Sequence, residues 1–178
     1  APMAVIRRAE PTDAVPLAIL AEQTFRDAFT EGNDPDDMVL HCAASFGPEI
    51  QAREIEDPDT ATIVADEDGD LIGFAQVRLR SPKACVTAER PSELYRVYVS
   101  RQWHGTGVAQ QIMREALATA ARAGSDRIWL GVWENNRRAL GFYRKYGFEV
   151  VGEHVFQFGT DAQTDLIMAA DVGAAVAR

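Results

Sequence analysis

The sequence has little cysteine and little histidine, and what it has is scattered. Its two cysteines, Cys42 and Cys85, form no CxxC pair. Two isolated cysteines are too few for a disulfide framework, so we expect buried free thiols. The three histidines, His41, His104 and His154, stand singly and show no HExxH or other ligand spacing. We therefore predict no metal site.

Long apolar runs are also missing. No stretch of about 18 apolar residues could cross a bilayer, and the N-terminus has no charged region followed by an apolar signal core. We therefore expect a cytoplasmic location and no membrane partner. With 178 residues, of which 47% are hydrophobic, the chain can bury one core. We predict a single domain over residues 3–172, with residues 1–2 as a cloning or processing remnant and 173–178 as a tail.

The charge is divided unequally along the chain. Up to Asp70 there are 17 acidic and 4 basic residues, a net charge of −13, and from Leu71 onward there are 10 and 14, a net charge of +4. An acidic chain without a basic stripe repels phosphate backbones, which argues against nucleic acid as a partner. The basic second part suits a phosphate-bearing cofactor, and the acidic first part could attract a cationic amine. Solvated turns and helix faces explain the acidic residues equally well.

Apolar periodicity and turn residues predict a mixed α/β chain. Strands are predicted at 5–9, 62–65, 71–79, 94–99, 127–132, 148–151 and 165–169, and helices at 13–29, 36–44, 48–55, 106–123 and 136–146. Thr12 is the expected cap of the first helix. The Asp68-Gly69 pair is the expected hairpin turn between the second and third strands.

A glycine-containing loop separates the strand at 94–99 from the helix that follows it. The loop runs Gln102-Trp103-His104-Gly105-Thr106-Gly107. Glycines leave backbone N–H groups uncovered, and a helix N-terminus adds unpaired donors and the positive end of its dipole. The lysine of a GxxxxGK[ST] loop is absent, and Gln110 occupies the third glycine position of GxGxxG. We predict a pyrophosphate site of another kind; glycines that serve only close helix packing are the alternative.

Two motifs resemble those of the GNAT acetyltransferase superfamily. The pattern Gln-x-x-Gly-x-Gly after a strand resembles its acetyl-CoA loop, and the segment from Asn136 to Phe148 resembles its Asn-x-x-Ala-x-x-x-Tyr-x-x-x-Gly-Phe motif. The resemblance is close from Ser92 to Val151. It implies an α/β (α+β) fold with a mixed, mostly antiparallel central sheet of about six to seven strands, flanked by helices. It also implies a splayed pair of central strands that forms the acetyl-CoA cleft.

The resemblance also implies how acetyl-CoA, the co-substrate, is held. In the family, the strand before the loop binds the pantetheine arm through backbone groups, and one of its N–H groups polarises the thioester carbonyl. The loop holds the pyrophosphate, and the asparagine of the second motif binds the pantetheine side. The matching residues here are Val97, Tyr98, Val99, Gln102, His104, Gly105, Thr106, Gly107, Val108, Ala109, Asn136, Ala139 and Tyr143.

Direct acetyl transfer to an amine needs a deprotonated nucleophile and a stabilised thiolate. Tyr143 occupies the family's general acid position, and a phenol with a pKa near 10 stays protonated at neutral pH. A tyrosine within an aromatic helix can equally be a packing residue. Glu93 is the first candidate base, because a regular strand would place it on one face with residues 95, 97 and 99. A bulge would shift that parity; Glu134 is the second candidate, and a water relay would need neither.

These observations predict an N-acetyltransferase that moves an acetyl group from acetyl-CoA to the primary amine of a small cationic molecule such as a polyamine. The acidic first part favours this acceptor, and the first two helices resemble those of PaiA-like acetyltransferases, which act on polyamines. Phe25 and Phe29 carry part of that resemblance and are well explained by core packing. The alternatives are a protein or peptide N-acetyltransferase and a non-catalytic CoA-binding regulatory protein. An exposed edge strand around 155–158 could pair two subunits into a homodimer.

Overall fold

The computed structural model of the chain describes residues 4–178. Residues 1–2, expected to be a remnant, lie outside the described residues, as does Met3. The strands are β1 (Val5–Arg8), β2 (Thr60–Glu67), β3 (Asp70–Arg78), β4 (Pro91–Val99), β5 (Arg127–Trp133), β6 (Glu149–Phe158) and β7 (Asp161–Asp171). The helices are α1 (Ala14–Phe29), α2 (Pro35–Ser45), α3 (Pro48–Glu56), α4 (Val108–Arg122), α5 (Arg137–Arg144) and α6 (Val172–Val176).

The strands form one sheet in the order β1-β2-β3-β4-β5-β7-β6. Only β4 and β5 pair in parallel, over residues 91–93 and 127–129. The other neighbouring strands are antiparallel. Beyond residues 93 and 129 the two central strands separate, which leaves a gap in the middle of the sheet. The predicted fold class, a mostly antiparallel sheet with a splayed central pair, is confirmed.

Helices cover both faces of the sheet, so the core divides into two main clusters. The α4 cluster lies on one face and includes Ile63, Ile112, Met113, Ala116, Ile128 and Leu130. The α1 cluster lies on the other face and includes Leu17, Phe25, Met38, Val64, Phe74 and Phe158. Neighbouring residues of β2 enter different clusters, because successive side chains of a strand point to opposite faces.

The first helix begins differently from the prediction. A short 3₁₀ turn, Pro11–Asp13, precedes α1, and Asp13 organises this start in place of Thr12. The Asp13 carboxylate accepts a hydrogen bond from the Glu10 backbone N at 2.7 Å and forms an ion pair with Arg7 of β1 at 2.8 Å. The ion pair with a strand is a tertiary contact, which capping preferences alone do not predict.

The C-terminal part is more extensively structured than predicted. The strands β6 and β7 have 10 and 11 residues and form a hairpin, so both extend beyond the predicted segments. β6 is an edge strand, as expected for residues 155–158, and Val155 is 70% exposed. The predicted tail, 173–178, includes most of α6, and Ala175 is buried in the α4 cluster. The tail assignment is corrected accordingly.

The cysteines are free, and they differ in exposure. Cys42 is buried as predicted, whereas Cys85 is exposed in the connection between β3 and β4. Within residues 4–178, no three His, Cys, Asp or Glu side chains converge in a way that could hold a metal ion. In the same part of the chain, no helix is both long enough and apolar enough to cross a membrane.

A buried carboxylate fixes α2 to the β6–β7 turn. Asp37 Oδ1 accepts hydrogen bonds from the backbone N and from Oγ1 of Thr160, each at 2.7 Å. Gly159 lies directly against the same aspartate, because a Cβ at Gly159 would be 2.5 Å from Asp37 Oδ1. α2 and the hairpin therefore form one connected wall beside the gap.

We expect Asp37→Ala to lower the free energy of unfolding by about 2 kcal/mol, the scale of a lost hydrogen bond to a charged group. Asp36→Ala is the matched control, since Asp36 is exposed in the same first turn and shares the interaction with the helix dipole. Urea denaturation of both variants measures the difference. Equal losses in the two variants would show that the contact with Thr160 contributes nothing of its own.

Candidate functional site

The gap between β4 and β5 opens into a cavity of about 800 Å³. One end lies beside α4 and α5, and the other end is lined by α1, α2, β6 and β7. Concave sites of this size are typical of small-molecule binding. Most of the residues predicted to act at the site line this cavity: Glu93, Val97, Tyr98, Val99, His104, Ala109, Asn136, Ala139 and Tyr143.

The loop between β4 and α4 has the geometry of an anion site. Gly105 and Gly107 have φ angles of 77° and 92°, in the left-handed region that favours glycine. Among residues 4–178, a Cβ at either position would meet no atom within 4 Å, so the space beside these glycines is open with respect to the described part of the chain. α4 begins at Val108, slightly later than predicted, because Gly107 is left-handed. The first N–H groups of the helix and those of the loop can together bind a phosphate.

Several predicted loop contacts lie outside the cavity lining. Gln102 and Thr106 are exposed, and the Thr106 hydroxyl donates a hydrogen bond to the Trp103 carbonyl. The side chain of Val108 is buried in the α4 cluster. Because these two side chains are engaged elsewhere, Thr106 and Val108 can contact a ligand only through their backbone N–H groups.

His104 connects the loop to α5. The Arg138 Nη1 donates to His104 Nδ1 at 2.9 Å, and His104 Nε2 lies 2.9 Å from the carbonyl oxygen of Val99. Since a guanidinium can only donate, Nδ1 accepts and Nε2 carries the hydrogen. His104 therefore donates to the Val99 carbonyl and accepts from Arg138, which holds the Arg138 guanidinium beside the glycine loop. The sequence analysis did not assign Arg138 to the site.

A bulge interrupts β4. The register with β3 shifts at Tyr95, which has no partner there. A bulge reverses the alternation of the side chains beyond it. Leu94 before the bulge and Val97 after it consequently pack against the same α4 cluster. This is the bulge that the sequence analysis allowed for, and beyond it Glu93 does not share a face with Val97 and Val99.

The backbone groups of β4 divide between β3 and the gap. The Ser100 N donates to the Ile72 carbonyl at 2.8 Å, and hydrogen-bonded pairs alternate along an antiparallel ladder. Tyr98 therefore bonds to β3 through its backbone, whereas Val97 and Val99 direct their backbone groups toward the gap. Two of the three predicted backbone contacts are oriented for a ligand, and Tyr98 reaches the cavity with its side chain.

Tyr98 and Tyr143 both line the cavity. Tyr143 lies on α5, with its ring 5.9 Å from that of Phe148. Burial raises the pKa of Tyr143 to about 12. Burial also raises the pKa of Tyr98, and the neighbouring Tyr143 adds to this effect. Both phenols are therefore protonated at neutral pH and can donate hydrogen bonds.

The two carboxylates predicted as bases have different surroundings. Glu93 lines the cavity, where its Oε1 accepts a hydrogen bond from Ser81 Oγ at 2.9 Å and lies 3.5 Å from Arg78 Nη1. Glu134 is exposed in the turn after β5 and is not part of the cavity lining. The role of Glu93 as the base stays a prediction. One of its two carboxylate oxygens, Oε1, already interacts with Ser81 and Arg78.

A third carboxylate, which the sequence analysis missed, lies at the gap. Asp165 of β7 is opposite Trp133 of β5 and His154 of β6, and it lines the cavity. Its side chain makes no hydrogen bond to any residue from 4 to 178. Burial raises the pKa of Asp165 to about 6. In the sequence, the feature that could have pointed to Asp165 is its position directly before the apolar run Leu-Ile-Met-Ala.

Two histidines also line the cavity. His41 stacks between Phe25, at 4.3 Å between ring centroids, and Phe158, at 5.3 Å. The Nδ1 of His154 is buried and has no hydrogen-bond partner within the described part of the chain. Burial lowers the pKa of both histidines. Both are therefore neutral imidazoles at neutral pH.

Aromatic rings enclose the end of the cavity near α1 and α2. The ring centroids of Phe29 and Trp133 are 6.1 Å apart, and those of His41 and Phe156 are 5.7 Å apart, both edge to face. We call these rings the aromatic wall, which consists of Phe25, Phe29, His41, Phe46, Trp133, Phe156 and Phe158.

The acidic residues of the first part of the chain do not gather at this end. Of those in residues 4–70, only Asp27 lines the cavity, and it is exposed. Asp34 caps α2, and Asp66 pairs with Arg7 at 3.1 Å. Caps, turns and ion pairs therefore account for these acidic residues better than attraction of a cation does.

Known proteins resemble this chain over most of its length. The acetyltransferase (GNAT) family model matches residues 21–148. An uncharacterized N-acetyltransferase of Mycobacterium tuberculosis is 35% identical over 157 residues, which cover 88% of this chain and 96% of that protein. The L-amino acid N-acetyltransferase AaaT of Escherichia coli is 32% identical over 104 residues, 57% of this chain and 61% of that protein. The PaiA N-acetyltransferase of Thermoplasma acidophilum, solved in complex with coenzyme A, has the same fold, with a TM-score of 0.75 at 20% identity over 94% of this chain and 98% of that one.

We expect Asp165→Asn to stabilise the protein at pH 8, because it removes a partly buried carboxylate that has no hydrogen-bond partner among residues 4–178. Burial raises the pKa of Asp165 from 3.8 to about 6, so the cost of its charge is fully present above pH 6 and is lost below pH 4. Because solvent screens this partly exposed carboxylate, we expect a gain of about 1–2 kcal/mol. Urea denaturation should show a gain at pH 8 that shrinks as the pH falls toward 4.

Asp161→Asn, at the exposed start of the same strand, is the control and should show no such gain. A gain for Asp165→Asn that does not depend on pH would contradict the assignment of a buried, ionised carboxylate.

Proposed function

Because the chain belongs to the acetyltransferase (GNAT) family and is an acetyl-CoA-dependent N-acetyltransferase, we propose that it transfers the acetyl group directly to the primary amine of a small cationic molecule. One observation carries the proposal: a single cavity extends from His104 of the glycine loop to an end lined by aromatic rings and by Asp165, a carboxylate without a hydrogen-bond partner among residues 4–178. Such a cavity can hold a phosphate-bearing donor and an amine acceptor together.

The residues at the α4 end fit acetyl-CoA. The loop N–H groups and the Arg138 guanidinium suit its pyrophosphate, and the backbone groups of Val97 and the N–H of Val99 suit its pantetheine arm. Asn136 Oδ1 caps α5 by accepting from the Ala139 N at 3.2 Å, so its Nδ2 remains to donate to the arm. Acetyl-CoA supplies the activated thioester, and an N–H group of β4 can polarise its carbonyl.

We infer that Tyr143, which lines the cavity, stabilises the departing sulfur. Its pKa of about 12 lies roughly 3.5 pH units above that of an ordinary thiol, so complete proton transfer to a thiolate is uphill by about 5 kcal/mol. A hydrogen bond from the phenol to the developing thiolate carries no such cost. We therefore assign Tyr143 the role of a hydrogen-bond donor to the leaving sulfur. Full transfer of its proton to the sulfur is not required before the C–S bond breaks.

The acceptor end favours a small molecule over a peptide. Rings from α1, α2, β5 and β6 line it, and such rings suit a small apolar body. A polyamine remains a candidate, but its other ammonium groups would find few carboxylates there. A purely regulatory CoA-binding protein would have no need of Tyr143 in the cavity.

We also propose an oligomeric state and a location in the cell. β6 offers an unpaired edge through which two copies could form a homodimer, and light scattering of the purified chain tests this. A cytoplasmic location suits an enzyme that uses acetyl-CoA, and localisation of a tagged chain in cells tests it.

We expect Tyr143→Phe to lower the maximal rate about a hundredfold while acetyl-CoA still binds, because only the hydrogen bond to the leaving sulfur is lost. Acetyl-CoA-dependent thiol release is measured across spermidine, simple arylalkylamines, amino acids and short peptides. Tyr146→Phe, at a buried tyrosine of the same segment that does not line this cavity, is the control and should keep its rate. Tight acetyl-CoA binding without turnover of any amine would favour the regulatory alternative, and an unchanged rate would remove Tyr143 from the mechanism.

We expect Gly107→Ala to weaken acetyl-CoA binding by at least about tenfold, the scale of one lost hydrogen bond to a charged group, because a Cβ would cover the loop donors. Gly124→Ala is the matched control, since Gly124 also has a left-handed φ, 82°, but lies at the other end of α4. Calorimetry measures the affinity of each variant for acetyl-CoA, and only Gly107→Ala should bind more weakly. Equal affinity in both variants would contradict the assignment of the loop.

A further inference from the structure

We propose that Asp165 binds the ammonium group of the acceptor and takes its proton, and that the aromatic wall selects an amine with one positive charge on a flat apolar body. This inference rests on the proposed function and specifies its acceptor. It gives a role to a cavity carboxylate that the acetyl-CoA site leaves unused.

Asp165 differs from the other carboxylates of the cavity. Among the described residues that line it, Asp27 is exposed to solvent and Glu93 is bound to Ser81 and Arg78. Asp165 is partly buried and has no hydrogen bond within residues 4–178. A partly buried carboxylate without a protein partner is available to a ligand that supplies one.

Gly131 leaves room in front of this carboxylate. It lies within the apolar strand β5, and its φ angle does not require glycine. A Cβ at Gly131 would lie 3.4 Å from Asp165 Oδ2 and 3.5 Å from His154 Cε1. A glycine inside a strand often marks the close approach of a ligand. The space above Gly131 is thus bordered by a carboxylate and an imidazole and opens into the cavity.

The aromatic wall suits a cation with an apolar body. Aromatic faces attract ammonium groups, and flat apolar groups pack against rings. A second positive charge would find no second unpaired, buried carboxylate among the described lining residues. An acceptor carboxylate would find Arg96 already occupied, because its Nη1 donates to Glu54 at 2.9 and 3.0 Å and to Gln76 at 2.8 Å. Polyamines and amino acids therefore fit this end less well than an arylalkylamine.

The proton transfers balance with these residues. The ammonium gives one proton to Asp165, and the freed lone pair forms the C–N bond to the acetyl carbonyl carbon while the C–S bond breaks. The nitrogen loses a second proton as the amide forms. One of the two released protons converts the sulfur to a thiol, and the other passes to solvent. His154, whose Nδ1 is unpartnered, is the neighbour of Asp165 on the edge strand and can relay that proton.

Several titratable groups surround Asp165. His154 faces it from β6 and Tyr98 from β4, and Tyr143 of α5 and Asp27 of α1 line the same cavity. At β5 its opposite residue is Trp133, which does not titrate. We therefore expect the protonation of Asp165 to cause the fall of kcat/KM at acidic pH.

The first test compares three amines with the wild-type enzyme in the thiol-release assay: 2-phenylethylamine, L-phenylalanine and spermidine. L-Phenylalanine differs from 2-phenylethylamine only by its carboxylate. We expect kcat/KM for 2-phenylethylamine to exceed that for the other two by at least about tenfold, a difference of about 1.4 kcal/mol. Preference for spermidine or L-phenylalanine would overturn the inference and leave the proposed function standing. Turnover of no amine in the wider panel would instead contradict the proposed function itself.

The second test uses variants with 2-phenylethylamine. We expect Asp165→Asn to lower kcat/KM by about a hundredfold and to remove the acidic limb near pH 6, while calorimetry shows unchanged affinity for acetyl-CoA. Asp161→Asn is the control. Gly131→Ala should raise KM without altering acetyl-CoA affinity, because the added methyl group fills the space before Asp165. An unchanged pH profile in Asp165→Asn, or loss of the acidic limb in Glu93→Gln instead, would overturn the inference in favour of Glu93.

Discussion

β4 and β5 pair over residues 91–93 and 127–129 and then separate, and the position of every proposed site residue depends on that separation. If β4 and β5 stayed paired beyond these residues, the backbone groups of Val97 and Val99 would form hydrogen bonds with β5. The separation directs these groups toward the cavity, where His104 Nε2 donates to the Val99 carbonyl and the other groups can bind a ligand. An open sheet centre is tolerated because the α4 cluster and the α1 cluster hold its two halves from opposite faces.

The two ends of the cavity use different physical interactions. The α4 end presents uncovered backbone N–H groups and the Arg138 guanidinium, which suit a phosphate-bearing ligand. The other end presents aromatic rings and one buried carboxylate, Asp165. Polar recognition at one end and apolar recognition at the other allow a single cavity to bind two chemically different substrates.

Asp165 also illustrates how function can oppose stability. Its charge is costly in the folded protein at neutral pH, and the surrounding rings do not compensate for it. Such a residue is kept when the reaction needs a carboxylate that titrates close to neutral pH. The same burial that destabilises the fold brings Asp165 into the range where a proton acceptor is useful.

Local patterns in the sequence determined the order of the elements, the glycine loop and the family, and the family match confirms that resemblance. These features depend on short-range properties, such as the left-handed conformation of Gly107 and the apolar periodicity of α4. The tertiary structure decided which side chains meet. The bulge at Tyr95 redirected β4, and the pairing of β5, β6 and β7 placed Asp165 beside Gly131. Neither could be read from spacing, because strand register and burial are set by contacts between segments that are distant in the chain.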